Sequence, residues 1–272
     1  MIRELKFNGL WYPSDKGELL KLTKSSPKTD NKDIFGVVPH AGLYYSSSLI
    51  KLFFDTLKPD INKIILLTPS HYFSLKENII ISGNFDLYKT NFNTIEGFSL
   101  DIFEQKGERV TINEHAVEMV LPYIGQRKNI KLCCAHVNRF TDVEKASEYA
   151  KKILSSIDDK TAVIASSDFT HYGINFNYTP YGNIIDSSLI NKVKQYDKNI
   201  ANLIVNGDGC LAYSEYALKN KSTICGMAAM LVVSELARLK KMKGRILDQS
   251  TSIKGNSFDS NFVSYISLAW RE

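Results

Sequence analysis

The chain is poor in cysteine and proline, with four cysteines and seven prolines among 272 residues. Two of the cysteines, Cys133 and Cys134, are adjacent, a spacing that suits neither a disulfide framework nor a CxxC-type zinc site. No stretch reaches the roughly 18 consecutive apolar residues of a membrane span, and residues 1–6 lack the apolar segment of a signal peptide. We therefore expect a cytoplasmic protein with reduced thiols and no membrane contact.

The charge is only mildly unbalanced, with 34 Lys and Arg against 29 Asp and Glu and a formal net charge of +5. Most basic residues are scattered, and the one short basic run, residues 238–245, follows a helical pattern. Clustered Lys and Arg with interleaved aromatic residues would indicate nucleic-acid binding, whereas basic residues at a helix end complement the helix dipole. We expect a solvated helix end rather than an anion-binding surface, and no nucleic-acid partner.

Strand and helix patterns alternate along the chain, without an internal repeat, a low-complexity segment or a Pro/Gly-rich linker. The predicted strands are 34–38, 63–68, 130–137, 161–166, 245–252 and 262–269, with a β-hairpin formed by 78–82 and 85–92 around Gly83-Asn84. One predicted helix begins at Ser46, and the others cover 99–105, 114–124, 143–157, 184–205 and 225–240. This alternation predicts one α/β domain over 1–272, in three layers, with a mainly parallel central sheet and helices on both faces.

Three of the five histidines follow predicted strands. His40 lies in Pro39-His40-Ala41-Gly42, His71 follows Pro69-Ser70, and His171 comes shortly after the strand that ends at Ser166. In parallel sheets ligands bind at the carboxyl ends of the strands, and neutral imidazole is the commonest transition-metal ligand. A single histidine of this kind is often a solvated loop residue, but the set of three indicates a shared site.

Cys225 is a candidate for a further ligand because it lies where a long apolar helix begins. A helix N-terminus favours the thiolate, so we expect its pKa to lie below the free-thiol value of about 8.5. The alternative is a small buried hydrophobic residue, which is the preferred interpretation of Cys133 and Cys134 inside a strand.

Asp168 and His171 form a D-x-x-H pair just past a predicted strand. A carboxylate beside an imidazole orients it and raises its basicity, which suits an acid/base group or a residue that supports a metal ligand. Alternatively, both side chains bind the metal ion themselves. Glu114 and His115 open a predicted helix as a capped N-terminus or a pocket wall, and His136 ends a strand without an assigned role.

Six segments, in order, resemble those of the MEMO family, also called AmmeMemoRadiSam system protein B. They are Leu10-Trp11-Tyr12-Pro13, Pro39-His40-Ala41-Gly42, Thr68-Pro69-Ser70-His71, Glu114-His115 with Glu118 and Leu121-Pro122, Ser166-Ser167-Asp168-Phe169-Thr170-His171, and Ile224-Cys225-Gly226. The resemblance spans nearly the whole chain and implies a fold like that of class III extradiol dioxygenases. It implies a metal site of His40, His71 and Cys225, a neighbouring polar pair of Asp168 and His171, and a pocket lined by Trp11 and Tyr45.

In the dioxygenases that this family resembles, two histidines and one carboxylate hold Fe(II). Cys225 takes the place of that carboxylate, and its softer, more electron-donating thiolate suits iron or copper better than ring-cleaving chemistry. We expect a redox-type protein that holds one transition-metal ion, Fe(II) or Cu before Zn, with His171 as acid/base and a small molecule or peptide in the pocket. Two alternatives stay open: a non-catalytic module that binds a peptide or acidic ligand, and a zinc-dependent hydrolase.

Overall fold

The computed structural model describes residues 1–26, 31–253 and 260–271. The strands are β1 (Ile2–Arg3), β2 (Asp33–Val38), β3 (Lys63–Thr68), β4 (Ile80–Ser82), β5 (Leu87–Lys89), β6 (Thr94–Gly97), β7 (Glu104–Gln105), β8 (Lys131–Val137), β9 (Thr161–Ser166), β10 (His171–Gly173), β11 (Lys243–Thr251) and β12 (Asn261–Arg271). The α-helices are α1 (Lys16–Thr23), α2 (Leu43–Thr56), α3 (Glu108–Asn113), α4 (His115–Glu118), α5 (Leu121–Ile124), α6 (Val143–Ser156), α7 (Ser187–Val205), α8 (Gly209–Ala212) and α9 (Met227–Leu239).

A parallel sheet with the strand order β6-β8-β3-β9-β2 forms the centre of the fold. Its inner strands are short apolar runs that are buried on both faces, as parallel strands covered by helices require. Strand β12 extends the sheet antiparallel to β2, and it pairs in turn with β10 and β11. The predicted mainly parallel α/β sheet is confirmed.

Helices cover both faces of this sheet. α1 and α5 pack against α2, while α6 and α7 pack against the deeply buried α9. Gly36 in β2 allows the close approach of α2, because a Cβ at this position would lie 2.1 Å from the ring of Phe53. On the other side, the side chain of Asp186 caps α7 by accepting from the Leu189 N–H at 2.7 Å.

The predicted hairpin is wrong, because the two strands do not pair with each other. β4 is antiparallel to β8, whereas β5 pairs with β1 and β6. The hairpin is instead formed by β5 and β6, one strand later in the chain, and β4 takes a distant partner.

The predicted helix over 99–105 is also wrong. Its last two residues form β7 beside β4, and the Gln105 amide donates to the carbonyls of Leu100 and Phe103, which supports an irregular turn. The helix predicted over 114–124 is broken into α4 and α5. Pro122 lies in the first turn of α5, where its missing N–H needs no acceptor.

None of the helices in the described ranges combines the length and the apolar character that crossing a bilayer requires.

Candidate metal centre

The strand ends and the start of α9 bring three predicted ligands together. His40 follows β2, His71 follows β3, and Cys225 lies two residues before α9. Their ligand atoms all lie within 4.8 Å of one another, and Cys225 Sγ is 3.2 Å from His40 Nε2. Ligands of one ion, each bound at about 2.0–2.3 Å, are separated by comparable distances. The side chains therefore need only small shifts to share an ion.

His40 is held in one tautomer. Its Nδ1 lies 2.9 Å from the Ser166 hydroxyl, and that hydroxyl donates to the carbonyl of Ala116 at 3.0 Å. Ser166 therefore accepts from Nδ1–H, and the lone pair of Nε2 is on the side of Cys225. Burial, together with the neighbouring histidines, lowers the pKa of His40 well below its ordinary value. The ring is thus neutral, as a metal ligand must be.

His71 is fixed by Glu114 through two hydrogen bonds. Its backbone N–H donates to Oε2 at 2.7 Å, and its Nδ1 lies 2.8 Å from Oε1. Burial acts to raise the pKa of Glu114, but the contacts with His71 outweigh it and hold that pKa below its usual value. An ionised carboxylate that accepts from Nδ1–H leaves the Nε2 lone pair of His71 available, which is the usual support of a metal-bound histidine.

Cys225 contradicts the expectation of a lowered pKa. Burial raises the pKa of its thiol, and the charge of Asp168 raises it further. Contacts with the backbone of Asp168 and the side chain of Ser167 act to lower this pKa, but burial outweighs them. A cation bound between Cys225 and the histidines is what would stabilise the thiolate here, since metal binding displaces the thiol proton.

Asp168 and His171 are positioned by different partners. Asp168 Oδ1 accepts from the backbone N–H groups of His40 and Ala41 at 2.8 and 3.2 Å. His171 Nδ1 is 3.0 Å from the carbonyl oxygen of Thr223, so this nitrogen carries the proton. Thr223 thus holds Nδ1 of His171, and Asp168 supports the His40 loop. Burial raises the pKa of Asp168, and the nearby His171 acts to lower it, so the two side chains also interact through their charges. Among the described residues, His171 lies outside the groups with metal-ligand spacing.

Glu114 and His115 belong to the same pocket, a role that the sequence left open. The ligand atoms of His71, Glu114 and His115 also lie within 4.8 Å of one another. The ring of His115 is 4.4 Å from that of His71 and 5.3 Å from that of His40, measured between centroids. Glu114 also caps α4 by accepting from the Ala116 N–H. The same residue therefore caps the helix and forms part of the pocket wall.

Aromatic side chains surround His115. The Trp11 ring lies 4.3 Å from the His115 ring, and the Tyr72 hydroxyl is 3.1 Å from His115 Nδ1. Burial lowers the pKa of His115 to about 4. Tyr45, in the first turn of α2, is 46% exposed at the same edge of the sheet. Trp11 thus packs against His115, whereas Tyr45 lies at the surface.

Two cavities adjoin the candidate ligands. One of about 250 Å³ is lined by Cys225, and one of about 450 Å³ is lined by His71. Ser70, Asn138 and Arg139 line both of them. The space next to the site is therefore of the size taken by a small molecule or a short piece of peptide.

His136 is a buried structural residue. Its Nδ1 and Nε2 each lie 2.8 Å from a threonine hydroxyl, that of Thr68 and that of Thr111. The Thr111 hydroxyl also donates to the carbonyl of Gly107, and the Thr68 hydroxyl to that of Pro69, so the two threonines tie the ring to the neighbouring backbone. Burial lowers the pKa of His136 to about 4. Both ring nitrogens are occupied, and none is left for a ligand.

This burial makes the stability dependent on pH. The pKa of His136 is about 4 in the folded chain and about 6.5 in the unfolded chain. Its contribution to stability is therefore complete above pH 6.5 and is lost as the pH falls towards 4. Between pH 7 and pH 5, we expect the wild type to lose about 2 kcal/mol more unfolding free energy than His136→Gln. Urea unfolding at the two pH values measures this, and equal losses would contradict it.

The sequence matches the Memo-like protein family over residues 3–269. It is 25% identical to protein MEMO1 of Xenopus laevis and 24% identical to protein MEMO1 of Homo sapiens, in each case over 97% of this chain and 95% of the relative. A MEMO1 family protein of Schizosaccharomyces pombe is 26% identical over 83% of this chain and 84% of its own length. The chain belongs to the Memo-like protein family.

Proposed function

We propose that this protein is a redox-type metalloprotein that holds one iron or copper ion on His40, His71 and Cys225. The observation that carries the proposal is the spacing of these three side chains, whose ligand atoms lie within 4.8 Å of one another. Each histidine has its Nδ1 occupied by an acceptor, so that each offers one nitrogen to the same space.

The donor set favours iron or copper. Imidazole suits both metals, and a thiolate is a soft, electron-donating ligand that favours copper and iron over hard cations such as magnesium or calcium. Bound iron or copper would supply one-electron redox chemistry. Three protein ligands leave coordination positions for a substrate, and the adjoining cavities have room for a small one.

His171 is the proposed acid/base group. Its Nδ1–H donates to the Thr223 carbonyl, and its backbone N–H donates to the Thr223 hydroxyl at 2.9 Å. These contacts hold the ring in the tautomer whose Nε2 accepts a proton. Asp168 takes part indirectly by holding the loop that carries His40.

Metal analysis of protein purified without added metal tests the proposal. We expect close to one iron or copper ion per chain in the wild type and less than a tenth of that in Cys225→Ser. Cys210→Ser is the matched control. This second partly exposed cysteine lies on α8, where its thiol contacts Glu235 rather than the histidines. Zinc instead of iron or copper would favour the hydrolase, and a chain that takes up no metal would favour the binding module.

A further inference from the structure

The opposite end of the sheet carries a basic surface that the metal centre does not use. Two cavities of about 650 and 630 Å³ lie where β2 and β11 begin and where α7 ends, and Arg245 lines both. Strand β2, with six residues at about 3.3 Å each, separates them from the end that carries His40. These cavities therefore do not belong to the proposed metal site.

One wall of the cavity of about 630 Å³ is a face of α7. Lys194, Lys198, Asn202 and Asn206 line it at intervals of four residues, which places them on one side of the helix and just beyond its end. Strand β11 forms the other wall, and the Gln249 amide joins the two walls by donating to the carbonyl of Lys194 at 2.9 Å. The groove is thus built from two regular elements that are tied together.

Arg245 is the fixed cation between the two cavities. Its two terminal nitrogens donate to the two carboxylate oxygens of Asp33 at 2.7 and 2.5 Å. Asp33 is buried, whereas about a third of the Arg245 side chain is exposed. The end-on pair fixes the plane of the guanidinium, and its remaining N–H groups stay available for a second acceptor.

The charge of the lining is strongly positive. Among the described residues, the two linings contain six basic side chains and two acidic ones. The basic residues are Lys32, Lys194, Lys198, Lys243, Arg245 and Arg271, and the acidic ones are Asp33 and Asp248. The basic run after α9 was expected to be a solvated helix end, but Lys243 and Arg245 lie on β11 and line these cavities. Clustered cations in a concave surface raise the local concentration of anions.

We propose that this groove binds the phosphate groups of a polyphosphate, either inorganic or carried by a nucleoside. Each of the two cavities has room for several consecutive phosphates, and Arg245, which lines both, is preorganised for their oxygens. No aromatic side chain lines the described part of either cavity. Base stacking, on which single-stranded nucleic acids rely, is therefore missing from the lining.

Isothermal titration calorimetry with tripolyphosphate and with ATP tests the proposal at 50 mM and 150 mM NaCl. We expect one molecule bound per chain, similar affinities for the two compounds, and weaker binding at the higher salt concentration. Tripolyphosphate and ATP differ by the adenosine, so a large preference for ATP would show recognition of the nucleoside and overturn the phosphate-only site. A 20-nucleotide single-stranded RNA that binds more tightly than tripolyphosphate at 150 mM NaCl would overturn it in favour of a nucleic-acid surface.

The test variants remove positive charge from the groove without disturbing the ion pair between Arg245 and Asp33. Lys194→Gln, Lys198→Gln and Lys243→Gln combined should weaken tripolyphosphate binding about tenfold or more, while Arg245 stays in place to neutralise Asp33. The control combines Lys21→Gln, Lys128→Gln and Lys151→Gln, three exposed lysines outside the cavity linings, with the same loss of charge. Equal weakening in both triple variants, or no binding by the wild type, would overturn the proposal. The metal content should be the same in all three proteins.

Discussion

His40→Ala is expected to lose nearly all bound metal, to below a tenth of the wild-type content, and with it any redox activity. His40 supplies a neutral Nε2 that lies 3.2 Å from Cys225 Sγ, and two remaining ligands do not hold an ion of this kind firmly. His171→Ala should keep the metal and lose the activity, since His171 lies outside the ligand cluster. Elemental analysis and a redox assay on the two purified variants, side by side, give the comparison.

Glu114→Gln is expected to weaken metal binding without abolishing it. The amide keeps the shape of the side chain but loses the charge that faces His71 Nδ1, and removal of such a supporting contact costs about 10–100-fold in metal affinity.

Equal metal loss in His40→Ala and His171→Ala would show that His171 is itself a ligand. Unchanged metal content in His40→Ala would remove the proposed site.

Glu118→Ala is expected to destabilise the fold by about 3–5 kcal/mol, because it leaves a buried arginine without its partner. Arg3 and Glu118 are both fully buried, and their side chains are 2.5 Å apart. The same carboxylate accepts from the N–H groups of Lys6 and Phe7 and from the hydroxyl of Tyr12. Glu118 therefore attaches the N-terminal segment, which carries Trp11, to the wall of the pocket.

Urea unfolding at pH 7 measures this effect, with Glu96→Ala as the matched control. Glu96 pairs with Lys131 at the surface, where an ion pair contributes about 0–1 kcal/mol. A loss in Glu118→Ala as small as that in Glu96→Ala would show that Arg3 finds another partner or reaches water. Trp11 fluorescence of the folded variant would then report whether the segment still lies over His115.

The parts of this fold that were predictable from sequence are those whose signal is local. The strands over 63–68 and 161–166 are apolar runs whose burial on both faces follows from composition, and the structure has them with the same bounds. α6 shows a clear helical period and a capping Asp142. Because parallel strands end at one edge, the positions of His40 and His71 after two strands also indicated that they would be neighbours.

Other features depended on partners far away in the chain. The segments over 78–92 have the pattern of a hairpin, but β4 pairs with the distant β8, and β5 pairs with β6 instead. The Nδ1 of His171 donates to the carbonyl of Thr223, 52 residues away. No periodicity in the sequence encodes such a contact.

The electrostatic state of the site was likewise decided by the tertiary structure. The position of Cys225 before a helix suggested a stabilised thiolate, yet the surrounding protein raises its pKa. Residue types and their order determined which ligands would be available and at which edge of the sheet. Only packing decided how far each ligand is removed from water and which partner holds it, because desolvation depends on everything that surrounds a group rather than on its neighbours in sequence.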